Sequence, residues 1–348
     1  MIEFITLFLF RMTVRKGNTS MKNISILFLT IACLIIASIV SLMVGSADIT
    51  WVDIKETWLQ NSETIESKII VELRIPRVLA GVLVGVAMAI AGVIMQALTN
   101  NPLASPTVLG ITDGAAFAIA IAYVLLPELP YLGLLGMSFL GAVFGAALVF
   151  GVGSMAKGKL TPVKLALAGA AVGALLHSLS SGMAIYFNVA QDVSFWFAGG
   201  LANLTWTGVL FALPFILIGT GIALYLARSL TVLVFGEETA IGLGQNLTRV
   251  RLLGGLASLL LIGSAVAIGG TIGFIGLVIP HITRMLMGYD HRWVIPMAGL
   301  FGALLLTTAD IAARSINPPS EIPVGALTAL IGVPYFLYLA RRDGGGLR

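Results

Sequence analysis

The chain has 348 residues, of which 58% are hydrophobic and only 10% charged, and its net charge is +4. A soluble domain carries about a quarter charged residues, so a water-soluble enzyme and an intrinsically disordered chain are both excluded. The single cysteine, Cys33, excludes a disulfide framework and a cysteine-rich metal site, while 40 glycines in so apolar a chain suit closely packed membrane helices.

A helix needs about 20 apolar residues to cross the hydrocarbon. Ten such runs follow one another, at about 24–44, 77–98, 108–126, 132–153, 164–187, 206–226, 252–272, 274–288, 293–312 and 323–340. The eighth is short and ends near Pro280, His281 and Arg284. The first follows Lys22 and is longer than a signal-peptide core, and Gly45-Ser46-Ala47 is a poor cleavage site, so it reads as an uncleaved first helix. Met21-Lys22 has the form of a membrane-protein start, and the expectation is that residues 1–20 are an overextension of the start site.

The basic residues orient the spans. With the N-terminus inside, Lys55, Lys68, Arg74, Arg77 and Arg314 fall outside, and the other fifteen of the twenty fall inside. The expected fold is all-α, a polytopic integral membrane protein with about ten transmembrane helices. Residues 1–23 form an N-terminal cytoplasmic tail, 24–342 a ten-helix membrane domain, and 343–348 a cytoplasmic tail. The protein is expected in the plasma membrane with both termini inside. The outer segment at about 45–75 is acidic and amphipathic and can carry a short helix around Ile54–Gln60.

An internal repeat is visible. Residues 85–94 read GVAMAIAGVI and residues 263–272 read GSAVAIGGTI. The two copies run in opposite directions across the membrane, an inverted repeat of the kind common in transporters. Glycines four apart, at Gly81/Gly85, Gly141/Gly145, Gly169/Gly173 and Gly269/Gly273, stack on one helix face and let backbones approach.

Catalytic chemistry is hard to find. Gly153 to Leu160 resembles a phosphate loop, but Leu160 stands where a magnesium ligand is required and no strand precedes it. The three histidines, His177, His281 and His291, form no zinc-protease pattern, and no serine–histidine pair stands out. Only Asp113 and Asp310 are acids within the spans, and Asp310 and Arg314, four apart, can neutralise each other. So little intramembrane charge argues against a proton-driven carrier.

Several places are unusual. Asn100-Asn101-Pro102-Leu103-Ala104-Ser105-Pro106 breaks the helix after the second span, and irregular backbone at that depth must be buried in protein or line water. His177 sits mid-helix beside Ser178, either as an interhelical hydrogen-bonding residue or along a polar path. Arg74, Arg77 and Arg314 break the positive-inside trend. They are either snorkelling anchors or a docking surface for an acidic external partner, whose carboxylates suit forked guanidinium donors. On the inside, Glu237 and Glu238 open a short helix that Gly242 or Gly244 can end, a helix able to pass force from a cytoplasmic partner.

Taken together, these motifs resemble the FecCD family, permeases of ABC importers for iron(III)-siderophores, haem and vitamin B12. The resemblance runs from about Ser46 to Arg342. It is carried by Arg74-Ile-Pro-Arg77, Asn101-Pro-Leu-Ala104 with Leu109-Gly110, Trp196-Phe-Ala-Gly-Gly200, and Gly236-Glu237 through Arg251. It continues in Gly273 through Arg284, Ala309-Asp310 with Arg314, and Pro319 through Gly325. Ser105 and Asp113 depart from what many relatives carry.

The resemblance implies a permease dimer, homomeric or heteromeric, with a translocation path between its subunits and no cofactor, metal site or nucleic-acid partner. Two cytoplasmic ATPases dock on about 236–248, which makes Gly236, Glu237, Glu238, Ala240, Gly242, Gly244, Asn246 and Arg249 the coupling loop. An extracytoplasmic binding protein delivers the ligand onto Arg74, Arg77 and Arg314. Gln96, Asn100, Asn101, Pro102, His177 and Ser178 are the candidates for the path or its gate. The chain itself is expected not to be an enzyme. The alternatives are an ion-gradient-driven secondary transporter and an intramembrane enzyme, which would need a catalytic constellation.

Overall fold

The computed structural model describes residues 19–45, 47, 49–59, 64–105, 110–155, 162–198, 200–202, 204–318 and 320–343. The question of the translation start, most of the phosphate-loop-like segment, Pro106, Leu109, Gly199, Pro319 and the last five residues lie outside them. Among the described residues every regular element is helical.

The order is α1 (Thr19–Met43), α2 (Trp51–Leu59), α3 (Ile65–Lys68), a π-helical stretch (Ile69–Arg74), α4 (Ile75–Thr99), α5 (Ile111–Leu125), α6 (Tyr131–Met155) and α7 (Pro162–Tyr186). Then come α8 (Ala190–Phe197), α9 (Trp206–Leu233), α10 (Glu237–Gly242), α11 (Leu247–Gly269), α12 (Ile275–Met287), α13 (His291–Ser315) and α14 (Val324–Asp343). Each of the ten expected spans coincides with a helix. Among the described residues seven of these are long and apolar enough to cross a membrane, while α5, α12 and the apolar part of α14 are shorter. The second span departs from expectation at its start. Helix runs unbroken from Ile65 through the π stretch into α4, and Pro76 sits in the turn that directly follows the π stretch.

Helix ends follow local chemistry. Asn100 closes α4 in the left-handed region at φ 47°, a conformation asparagine tolerates better than most residues. Asn246 caps α11 by accepting from Arg249 N at 3.0 Å. Asp290 caps α13 by accepting from Arg292 N at 3.0 Å. The Arg292 guanidinium also donates to that carboxylate, and this bond is the main cause holding the Asp290 carboxyl below its ordinary value.

The core is built around α4, which packs against α9, α11, α12 and α13. From Val84 to Ala97 it is buried at every position except Val86. In lipid the drive for such packing is close van der Waals contact rather than escape from water, and glycine supplies it. A Cβ on Gly85 would fall 2.4 Å from the Gly302 carbonyl oxygen of α13. One on Gly92 would fall 2.0 Å from the Gly276 oxygen of α12. Gly141 and Gly145 do the same for α6 against α5. Of the other expected pairs, Gly173 faces the Asp113 carboxylate and Gly273 faces open space.

Helix α11 lies antiparallel to α4, with Gly254 beside Leu98 and Gly269 beside Val84. The two copies of the sequence repeat therefore sit on adjacent chains of opposite direction, the second copy running past the end of α11 into the link to α12. The outer surface carries large apolar side chains such as Phe28, Leu140, Leu210, Leu217 and Leu252, as a lipid- or protein-covered surface does.

Candidate functional site

Two ends of the bundle carry the polar chemistry. At one end, Arg77 on the first turn of α4 meets Asp310 on α13 and Glu321 in the link before α14. Its guanidinium donates to Asp310 Oδ1 at 2.8 Å and to Glu321 Oε2 at 2.9 Å. Further bonds from Nε and Nη1 make both contacts two-pronged. Arg314 pairs with Asp310 at 2.9 Å, the i,i+4 neutralisation the spacing suggested. It also donates to Ser41 Oγ at 2.6 Å and to the carbonyls of Ser41 and Val44 at the end of α1. Arg74 donates to the carbonyls of Leu42 and Ala47.

The three arginines thus clasp α1, α4, α13 and the lead-in to α14 at one end. Two of the three arginines expected to dock an external partner are thus enclosed by protein. Arg74 and Arg314 are each only 6% exposed, and their donors are directed to carbonyls left free where α1 ends. Arg77 lies nearest the surface, its side chain 12% exposed beside the half-open Glu321. Charge counting missed this because Glu321 is far away in sequence and backbone acceptors carry no sequence signal.

A cavity of about 550 Å³ opens beside the clasp. It is lined by Arg77, Asp310 and Glu321, and by Tyr123, Tyr131 and Trp196. The Trp196–Gly200 motif reaches it because Gly200 N donates to the Gly269 carbonyl at 3.0 Å.

The six path candidates do not converge. Gln96 is 4% exposed and faces protein. Its amide donates to the Leu277 carbonyl at 3.2 Å and accepts from Arg284, tying α4 to α12. In this structure Gln96, a candidate for the path or its gate, is a buried interhelical link. Replacing Gln96 with leucine leaves the Arg284 guanidinium without that acceptor, and stability should fall by about 1–3 kcal/mol. Thermal denaturation of the extracted protein reads this out, and an unchanged midpoint would contradict it.

Asn100 and Pro102 are exposed at the end of α4, opposite the clasp, and Asn101 Oδ1 accepts from Leu103 N at 2.9 Å in a tight turn. His177 and Ser178 stand on the open face of α7, and Ser178 Oγ donates back to the Ala174 carbonyl at 2.8 Å. Behind them Asp113 leans over Gly173, one turn before His177.

The end away from the clasp carries α10. Gly236 enters it at φ 106° and Gly244 leaves it at φ 79°, conformations glycine adopts freely. Ala240 is fully buried against the neighbouring helices. Glu237 pairs with Arg251 of α11, while Glu238, Gly242, Asn246 and Arg249 are exposed. Phe235, Ile241 and Leu243 are 70%, 59% and 68% exposed, respectively. Exposed apolar side chains clustered on a polar link mark a protein-contact surface. Sequence reasoning noted the acids and glycines here and passed over these three, although apolar residues set within a polar link were the available signal. Among the described residues, no group of three or more histidines, cysteines or carboxylates is placed to hold a metal.

Comparison with known proteins places this architecture. Residues 33–342 match the family model described as the FecCD transport family. The chain is 49% identical over 323 residues to the iron(3+)-hydroxamate import system permease protein FhuB of Bacillus subtilis (strain 168), covering 92% of this chain and 84% of that protein. It is 40% identical over 314 residues to the ferric enterobactin transport system permease protein FepD of Escherichia coli (strain K12), covering 90% and 94%. A solved chain of an ABC transporter assigned to the metal-chelate type, in an inward-facing conformation, superposes with a TM-score of 0.80 at 31% identity, covering 91% of this chain and 99% of that one. The chain belongs to the FecCD transport family.

Proposed function

We propose that the chain is the membrane-spanning subunit of an ATP-driven importer that carries an iron(III) chelate of the siderophore type inward. The observation that carries this reading is the division of labour between its ends, on a fold shared with metal-chelate and siderophore permeases. One end holds a fixed charged clasp beside a cavity, and the other an exposed apolar helix. In this reading the clasp end faces outward, the α10 end faces the cytoplasm, and both termini are cytoplasmic.

The permease makes no covalent change. Cytoplasmic ATPase subunits seat on α10 and on Phe235, Ile241 and Leu243, and nucleotide binding there biases alternating access. The path lies against a second permease subunit, identical or paralogous. The open face of α7 supports this, since a histidine and a serine at mid-span are expensive against lipid and are expected to face protein or water. An external binding protein docks through its acidic groups on the clasp end, with Arg77 as the accessible member and Arg74 and Arg314 as its frame.

Two results test the partners. Ile241→Asp with Leu243→Asp should weaken ATPase association by at least about tenfold, because two apolar anchors are lost from an interface centre. Insertion of the permease should be unchanged, and full ATPase recovery would remove α10 from the coupling role. Glu321→Gln should strengthen binding-protein association severalfold, more at low salt, by releasing one pair of Arg77 donors for a partner carboxylate. Affinity unmoved by this change would place docking elsewhere. Gentle extraction of a tagged copy tests the assembly as a whole, with a stoichiometric ATPase as the expected companion. A chain that purified alone and still moved chelate would contradict the reading.

A further inference from the structure

A second cavity, of about 640 Å³, lies between the end of α9 and the start of α11, beside α10. Arg228 and Arg249 line it. Both are exposed, and among the described residues neither guanidinium has a hydrogen-bond or ion-pair partner. Arg292 also lines the cavity, but Asp290 neutralises it at 2.9 Å. On α10, Glu237 is taken by Arg251, and neither it nor Glu238 lines the cavity. The cavity therefore keeps two uncompensated positive charges, at the terminus of α11 where the helix dipole is also positive.

Its remaining walls differ in kind. Toward the middle of the bundle, Leu224, Tyr225 and Leu253 supply an apolar side, and Leu224 and Tyr225 are 47% and 72% exposed. On the other side stand the polar residues Gln245 and Asn246. An acidic protein side chain would use the arginines and leave the apolar wall idle. A phospholipid with an anionic headgroup uses both.

We propose that this cleft binds an anionic glycerophospholipid of the phosphatidylglycerol type. Its phosphate lies between Arg228 and Arg249, and its acyl chains run along Leu224, Tyr225 and Leu253. Basic pockets between membrane helices at the interface are suited to such headgroups. The inference rests on the cleft alone and holds whatever the transporter carries.

Native mass spectrometry of the full-length chain in mild detergent tests it, titrating palmitoyl-oleoyl phosphatidylglycerol against the phosphatidylcholine of the same chains. The expected result is retained phosphatidylglycerol adducts with markedly weaker phosphatidylcholine binding. Arg228→Gln with Arg249→Gln should weaken the phosphatidylglycerol adduct about thirtyfold, two basic contacts at about five- to sixfold each. The corresponding lysine pair should keep most of the binding. Both arginines are exposed, and an unchanged size-exclusion profile will report folding. Inorganic phosphate at millimolar concentration should fail to displace the lipid. Displacement by phosphate, or equal adducts in wild type and the glutamine pair, would overturn the proposal. Adducts unchanged in the glutamine pair while ATPase affinity fell would assign the two arginines to the ATPase instead.

Discussion

Gly92→Ala is expected to abolish the folded permease or reduce its extracted yield to a small fraction. The new methyl would lie 2.0 Å from the Gly276 carbonyl oxygen and 2.6 Å from Gly276 Cα. The obstacle is backbone, so no side chain can swing aside, and α4 and α12 would have to separate along their contact. Four residues on, Gln96 bonds to the same segment of α12, so the separation would also break that link. Overpacking a core costs about 1–3 kcal/mol when side chains can adjust, and a backbone clash exceeds that range. Gly182→Ala is the matched control. Nothing lies within 4 Å of its added methyl, and the change should leave stability level or raise it by up to about 1 kcal/mol through helix propensity. Fluorescence-detected size exclusion of both variants reads the contrast. A normal peak for Gly92→Ala would mean that α4 and α12 are not held this closely.

Asp310→Ala should be nearly as damaging. Its carboxylate is 5% exposed and serves Arg77 and Arg314 together. Removing it leaves two enclosed guanidinium groups, one with Glu321 and one with carbonyl and hydroxyl acceptors only. Breaking one partner out of a buried pair costs about 3–5 kcal/mol, a large share of the roughly 5–15 kcal/mol that holds a typical domain together. Asp310→Asn keeps the shape and some acceptors and should cost less. The order wild type, asparagine, alanine in thermal midpoint is the expected result, and three equal midpoints would show that the clasp does not hold the bundle. The same measurement distinguishes structure from docking. A clasp that only received a partner would change binding and leave the midpoint alone.

Much of the fold was legible because membrane helices announce themselves by composition. Even the short α5 and α12 were found, from the apolar runs at about 108–126 and 274–288. Helix α10 was legible in detail, because acids at its start and glycines at its end are local signals and the structure uses both. The antiparallel relation of α4 and α11 followed from the repeat and the topology. What escaped has a common cause. The Arg77–Glu321 contact joins residues 244 apart in sequence, and carbonyl groups receive the donors of Arg74 and Arg314. Neither leaves a local pattern. The start of the second span at Ile65 was missed because charged Glu66, Lys68 and Glu72 interrupt the apolar run, although the backbone stays helical through a π stretch. Helix α8 was missed because eight residues are too few to show a period. Phe274, at φ 68°, packs its ring where Gly332 of α14 has no side chain, a pairing visible only once α12 and α14 are adjacent.

The central claim is that this chain moves a chelate only when a partner ATPase drives it. Reconstituted vesicles holding the permease with its co-purified ATPase, supplied with binding protein and radiolabelled iron(III)-hydroxamate, test it most directly. Uptake should require ATP in the compartment facing α10, should be insensitive to collapse of proton and sodium gradients, and should vanish in the Ile241→Asp, Leu243→Asp variant. Uptake by the permease alone, driven by an ion gradient and indifferent to ATP, would contradict the account.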